Sequence, residues 1–107
     1  MIIWHRRMYC DEKVNRHRNR YIRKVEKRRI TNGLYLVTLP LENANQLEIY
    51  RAGELWFEYN RRREITVVGL AADRESAKEL VQRMLMDALV QTGKPEIRLL
   101  FEEGGGG

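Results

Sequence analysis

The sequence predicts a single α+β domain: a basic N-terminal helix, an antiparallel meander of about four strands, a long amphipathic helix packed on one sheet face, and a C-terminal closing strand. Cations concentrate near the front of the chain, short runs of high strand propensity follow, and a later stretch repeats apolar residues at helical spacing. With 107 residues, the chain has the length of one domain. We place this α+β domain at 1–103 and a flexible Gly tail at 104–107. Residues 1–10 either belong to the domain or form a loose N-terminal arm.

The first predicted element is a helix over residues 12–30, capped by Asp11. Its apolar stripe recurs at steps of three and four and consists of Cys10, Val14, His17, Tyr21 and Val25. A neighbouring arc of about 100° is basic, at 3.6 residues per turn. This arc contains Lys13, Arg16, Arg20, Arg23, Lys24 and Lys27. Thr31, Asn32 and Gly33 supply the stop, because Asn and Gly tolerate the left-handed conformation at a helix end.

The charge of the chain is concentrated in this segment. Residues 6–29 contain eleven Lys/Arg and three acids, a net of +8, whereas residues 30–107 carry a net of −3. Such a split indicates a local electrostatic role for the first third of the chain. We therefore take the six cations of the basic arc as the candidate site for nucleic acid or another anion.

Strands are predicted at 34–39, 47–50, 54–59 and 65–71 from their β-branched and aromatic residues. The second and third form a hairpin with a three-residue loop in which Gly53 makes a bulge. That register turns Leu55 and Phe57 toward the core. It leaves Tyr50 and Trp56 on the other face, so these two aromatics are the candidate interface with a partner or a second copy.

The clearest predicted element is a helix that Asp73 caps and that Gly93 and Pro95 end. Its apolar stripe consists of Ala77, Leu80, Val81, Met84, Leu85, Ala88 and Leu89. The run from Ile65 to Ala71 is nearly all apolar and is expected to be a central strand, with Gly69 as a packing or bulge residue. Residues 97–101 are expected to close the sheet through a right-handed crossover.

No residue set shows the spacing of a catalytic or metal site. His5, Cys10 and His17 lack the paired spacing of structural zinc ligands, and neither histidine has a nearby carboxylate in sequence. We therefore expect a non-enzymatic module with no cofactor and no metal. Cys10 is the single cysteine, which favours a reducing, cytoplasmic setting, and no apolar run is long enough to span a membrane.

These features leave more than one function open. The first hypothesis is a binding module whose basic helix contacts nucleic acid, since each cation can neutralise a phosphate. An acidic protein partner fits the same charges. The rival hypothesis is a protein-interaction or homo-oligomerisation domain that uses Tyr50 and Trp56.

A last alternative concerns the C-terminus, where Gly104 to Gly107 follow the expected closing strand. This ending resembles the tail of ubiquitin-like and sulfur-carrier proteins, in which a Gly-Gly terminus enters the narrow channel of an activating enzyme. The resemblance covers these last residues alone. The β-grasp order of that family places the helix after a hairpin, whereas at least four strands are predicted before the helix here. We favour a disordered tail or a linker, because Gly-rich ends cannot repay the entropy of ordering.

Overall fold

The structure is a computed structural model that describes residues 1–29, 33–39 and 47–102. In chain order its elements are β1 (Ile2–Cys10), α1 (Glu12–Asn15), α2 (Arg18–Glu26), β2 (Tyr35–Leu39), β3 (Glu48–Arg51), α3 (Ala52–Arg62), β4 (Ile65–Ala71), α4 (Arg74–Thr92) and a 3-10 helix, Ile97–Phe101. The α+β class is confirmed. The segment 41–46, which was expected to be a loop between the first two predicted strands, lies outside the described residues. The helix stop at Thr31 and Asn32 and the Gly tail at 104–107 lie outside them as well.

The four strands form one mixed sheet in the order β1-β4-β2-β3. β1 runs parallel to β4, while the β4–β2 and β2–β3 pairs are antiparallel, so the predicted all-antiparallel meander is wrong. The central place of β4 is confirmed. A Cβ at Gly69 would lie 3.0 Å from the Val37 Cβ, so this position admits only glycine without a shift of its neighbours. Helices cover both faces of the sheet, with α4 on one and the remaining three on the other.

Residues 1–10 are not a loose arm, because Ile2 to Cys10 form β1 and pair with β4. β1 occupies the position beside the central strand β4, on the side away from β2. Residues 97–101 therefore do not join the sheet, and the predicted strand there is wrong. They form a 3-10 helix instead, with Leu100 and Phe101 buried against the core on the α4 side.

Residues 54–59 form most of helix α3 instead of the predicted strand. Ala52 and Leu55 are buried, and half-buried Tyr59 packs against the same core, which is the spacing of one helical face. Phe57 points away from that face and is 75% exposed, so the predicted hairpin register is wrong. Strand propensity was outweighed by the burial of this helical stripe. β3, which directly precedes α3, pairs with β2 at the edge of the sheet.

α4 begins and ends as predicted. The Asp73 carboxylate accepts a hydrogen bond from the Ser76 backbone N–H at 2.8 Å, and Gly93 ends the helix with φ 78°. Its buried stripe is narrower than predicted and consists of Ala77, Leu80, Met84 and Ala88. Leu85 and Leu89 are 42% and 45% exposed. The apolar arc of α4 is wider than the part of the helix surface that packs on the sheet, so these two side chains lie outside the contact. None of the helices in the described part of the chain has the length and apolarity needed to cross a bilayer.

The predicted helix over 12–30 is broken in two and ends earlier. Asp11 is its N-cap, as expected, since its carboxylate accepts from the Val14 N–H at 2.7 Å. The same carboxylate accepts from the Ala72 N–H at 2.6 Å, which ties the start of α1 to the end of β4. The break after α1 turns α2 so that Ile22, instead of His17, packs toward the core.

Candidate anion-binding site

α2 presents one apolar face to the sheet and one basic face outward. Val25 is buried, and Tyr21 and Ile22 pack against the same core. The single acid of α2, Glu26, accepts a hydrogen bond from the Trp4 indole N–H at 3.1 Å. Arg20, Arg23 and Lys24 lie on the outward arc of α2, whereas Arg18 lies on the side of Val25 and Ile22 and acts on Cys10.

Five cations line one hollow of about 340 Å³ on this basic face. They are Arg20, Arg23, Lys24, Lys27 and Arg29, which we call the α2 cluster. No acidic residue is among the described residues that line the hollow. Like charges gathered around one concavity raise the local positive potential, so an anion placed there would be attracted by all five.

The structure brings together four of the six predicted anion-binding residues. Lys13 and Arg16 lie at α1, before the break, and do not line the hollow. Arg16 pairs with Glu12 at 3.5 Å on a highly exposed surface. Lys13 helps to lower the pKa of Asp73, after the larger effect of the hydrogen bonds from Ser76. The continuous six-residue ridge is therefore wrong, because it required an unbroken helix.

The C-terminus of α2 has a strained backbone. Arg28 has φ 56°, a left-handed conformation that usually belongs to glycine at this position of a helix end. The Arg28 N–H bonds to the Val25 carbonyl and the Arg29 N–H to the Lys24 carbonyl, both at 2.9 Å, the hydrogen-bond pattern of a Schellman motif. This turn brings Arg29 to the edge of the hollow.

The same turn directs the Arg28 side chain onto α3. Its guanidinium carbon lies 4.3 Å from the centre of the Trp56 ring, a cation–π contact. Trp56 in turn meets Tyr59 edge to face, with ring centres 5.2 Å apart. The α2 cluster is thus joined through Arg28 to an aromatic surface on the neighbouring helix.

The two predicted interface residues do not share an exposed strand face. Tyr50 lies on β3 and Trp56 on α3, and both are half-buried. The Tyr50 hydroxyl donates to Glu48, whose carboxylate also accepts from Arg62. Burial opposes ionisation of Glu48, but the hydrogen bonds from Arg62 and Tyr50 outweigh it and lower the pKa of this carboxyl. Tyr50 therefore belongs to a local ion-pair network, and only Trp56 lies beside the basic surface.

A second polar group lies on the far side of the sheet, between β1 and α4. The Tyr9 hydroxyl donates to the Asp87 carboxylate at 2.5 Å, and the Arg83 guanidinium lies 5.7 Å from the Tyr9 ring centre. Burial, together with the Asp87 hydrogen bond, raises the pKa of Tyr9 to about 12. Burial likewise raises the pKa of the Cys10 thiol. Both shifts favour the protonated form of the group, which is the weaker nucleophile.

No group of three His, Cys, Asp or Glu side chains able to hold an ion occurs within 1–29, 33–39 and 47–102. His5 is buried beneath the 3-10 helix, where its Nε2 lies 2.9 Å from the Phe101 carbonyl oxygen. The imidazole Nδ1 accepts from the Arg7 N–H at 3.0 Å. Through the contact with Phe101, His5 connects β1 to the 3-10 helix.

Sequence reasoning missed three residues of this surface, namely Arg28, Arg29 and Phe57. On a continued helix, Arg28 and Arg29 fall outside the basic arc, so the wheel gave no reason to include them. The left-handed turn that repositions them has no glycine to signal it. Phe57 was assigned to the core because its segment was expected to be a strand. Comparisons with protein-family models, curated proteins and solved structures gave no match, so the interpretation of this surface depends on its own geometry.

Proposed function

We propose that this domain is a non-enzymatic binding module that holds an anionic polymer, with nucleic acid as the first choice, on the α2 cluster. The observation that carries the proposal is the hollow lined by five cations, with no acid among its described lining residues. Three of the five are arginines, whose planar guanidinium groups suit bidentate contact with phosphate.

The charge distribution supports a polymer over a small anion. The cluster follows α2 over about two turns, so several charges can act on neighbouring phosphates at once. Glu26, the single acid of α2, accepts from Trp4 and is not among the described residues that line the hollow. Binding to phosphates along such a surface releases counterions and depends strongly on salt.

The test is a fluorescence-anisotropy titration of a labelled mixed-sequence oligonucleotide at about 50 and about 200 mM salt. The variant Arg20→Gln/Arg23→Gln/Lys27→Gln removes three charges from the cluster. We expect the slope of log affinity against log salt to fall by about 2 to 3, at roughly 0.7 to 0.9 for each lost phosphate contact.

A matched control removes three exposed charges from the α4 side of the sheet, in the variant Arg74→Gln/Lys78→Gln/Lys94→Gln. It lowers the net charge equally and should leave the salt slope nearly unchanged. Equal loss of affinity in both variants would mean that net charge alone drives binding, and absence of salt-dependent binding would reject the proposal. A polyglutamate probe that binds as well as the oligonucleotide would favour an acidic protein partner.

A second candidate function is self-association through the outer face of α4. The outer face of α4 exposes Leu85, Met86, Leu89 and Val90, four neighbouring apolar side chains on adjacent turns. Such a patch is typical of an interaction site. Light scattering at increasing concentration tests it: a mass above one chain that falls to one chain in Leu89→Lys supports self-association through α4, and a constant monomer mass rejects it.

A further inference from the structure

α3 has two chemically different flanks on either side of its buried face. Arg28 lies on Trp56, so the flank that carries Trp56 is the one facing α2. Phe57 follows about 100° further around the helix, on the outward face of α3 nearly opposite its buried residues. It is 75% exposed, the second most exposed large apolar side chain of the described residues after Val90.

Both acids of α3 lie on the opposite flank. Glu54 pairs with Arg51 at 3.3 Å, and Glu58 pairs with Arg61 at 3.1 Å. The helical wheel leaves Gly53, Trp56 and Asn60 on the flank beside α2, and it places Phe57 on the outward face of α3, between that flank and Glu54. An exposed phenylalanine thus lies on the outward face of α3, and the Arg28–Trp56 pair joins this helix to the end of α2 that carries the cluster.

We propose that the α2 cluster binds single-stranded nucleic acid, with the phosphates on the cluster and an unpaired base stacked on Phe57. This inference depends on the proposed function and specifies its ligand. Cations that follow the backbone, combined with an aromatic side chain on which a base can stack, are the features by which proteins hold single strands. Arg28 already presents a guanidinium plane on an aromatic ring, a second surface against which a base can lie.

The placement of α2 favours a single strand over a duplex. A helix that reads a duplex enters the major groove with its outer surface. α2 has nine residues, packs flat on the core through Val25, and is joined to α3 through the Arg28–Trp56 contact. Its cations surround a hollow instead of projecting as a ridge. A base inside a duplex, moreover, does not expose its face to Phe57.

The experiment compares one labelled single strand of about 12 nucleotides, within the usual site size for such surfaces, with the duplex of the same sequence. We expect the single strand to bind more tightly. Phe57→Ala should weaken single-strand binding by about 5- to 150-fold, the equivalent of about 1 to 3 kcal/mol for one stacked base. It should leave the salt slope and the affinity for inorganic polyphosphate unchanged, and Phe57→Trp should restore binding.

Ile49→Ala is the control, because Ile49 is an exposed apolar side chain on β3 that is paired with Val37, whose side chain lies in the core on the α4 side of the sheet. It should not change affinity for either probe. Salt-dependent binding that is equal for single strand and duplex and unaffected by Phe57→Ala would overturn the inference while leaving the proposed function intact. Equal loss of polyphosphate and single-strand binding in Phe57→Ala would also overturn it. If neither oligonucleotide binds at any salt concentration tested, the proposed function is rejected and this inference is rejected with it.

Discussion

The left-handed turn at Arg28 makes a quantitative prediction about stability. A residue with a side chain costs about 1 to 2 kcal/mol in this conformation, whereas glycine adopts it freely. The cation–π contact with half-buried Trp56 returns about 0.5 to 1 kcal/mol. The Schellman hydrogen bonds are made by the backbone and are the same for any residue at this position.

Two substitutions separate these effects. Arg28→Ala loses the contact and keeps the strain, so we expect it to lower the free energy of unfolding by about 0.5 to 1 kcal/mol. Arg28→Gly loses the contact but relieves the strain, so its stability should equal that of the wild type or exceed it by up to about 1.5 kcal/mol. The glycine variant should therefore be more stable than the alanine variant by about 1 to 2 kcal/mol.

The assay is equilibrium urea unfolding followed by circular dichroism, with Trp56→Leu and the Arg28→Ala/Trp56→Leu double variant included. The double-mutant cycle isolates the contact and should give a coupling of about 0.5 to 1 kcal/mol. An alanine variant as stable as the glycine variant would refute the left-handed assignment, and zero coupling would refute the contact. A strained arginine retained in a stable turn would support its use in binding.

Two further outcomes test the α4 packing and the Tyr9 contact. Leu80 is 1% exposed, so Leu80→Ala should lower the free energy of unfolding by about 3 to 5 kcal/mol in thermal or urea unfolding. Leu85 is 42% exposed, so Leu85→Ala should lower it by only about 1 kcal/mol. Equal losses would contradict this placement of α4. The folded chain holds the Tyr9 proton more tightly than the unfolded chain does, with a pKa of about 12 against 10.0, so its contribution to stability is complete below pH 10 and is lost as the pH rises toward 12. Tyr9→Phe should flatten that alkaline decline in the urea midpoint. The pKa of Tyr50 is also raised, so part of the alkaline loss of stability should remain in both the wild type and Tyr9→Phe. An identical decline in the two proteins would disprove the Tyr9 contact.

Where local signals and tertiary burial agree, the sequence predicts the structure well. The apolar run of β4 has few alternatives to a covered central strand, and Asp73 and Gly93 set the limits of α4 through their own hydrogen bonds and backbone angles. Four of the six predicted cations also meet at one site, because α2 is helical over the turns that carry them. These conclusions need only the chemistry of neighbouring residues.

Where the local sequence fits a helix and a strand almost equally well, the prediction from sequence was wrong. Residues 54–59 have strand propensity and also helical spacing of Leu55 and Tyr59, and burial of that spacing decided for a helix. Residues 97–101 could have formed a strand, but β1 occupies the place beside β4. Neither outcome can be read from the segment alone, because each depends on which distant segment covers it.

The sequence by itself determined that this protein is an α+β domain with a central apolar strand, a long capped helix and positive charge gathered in its first third. Only the tertiary structure decided how that charge is arranged. A break after α1 separates Lys13 and Arg16 from the α2 cluster, and the left-handed Arg28 adds Arg29 to it while stacking on Trp56. The physical reason is that a helical wheel relates residues within one straight helix, whereas a binding surface depends on where helices bend, end and meet.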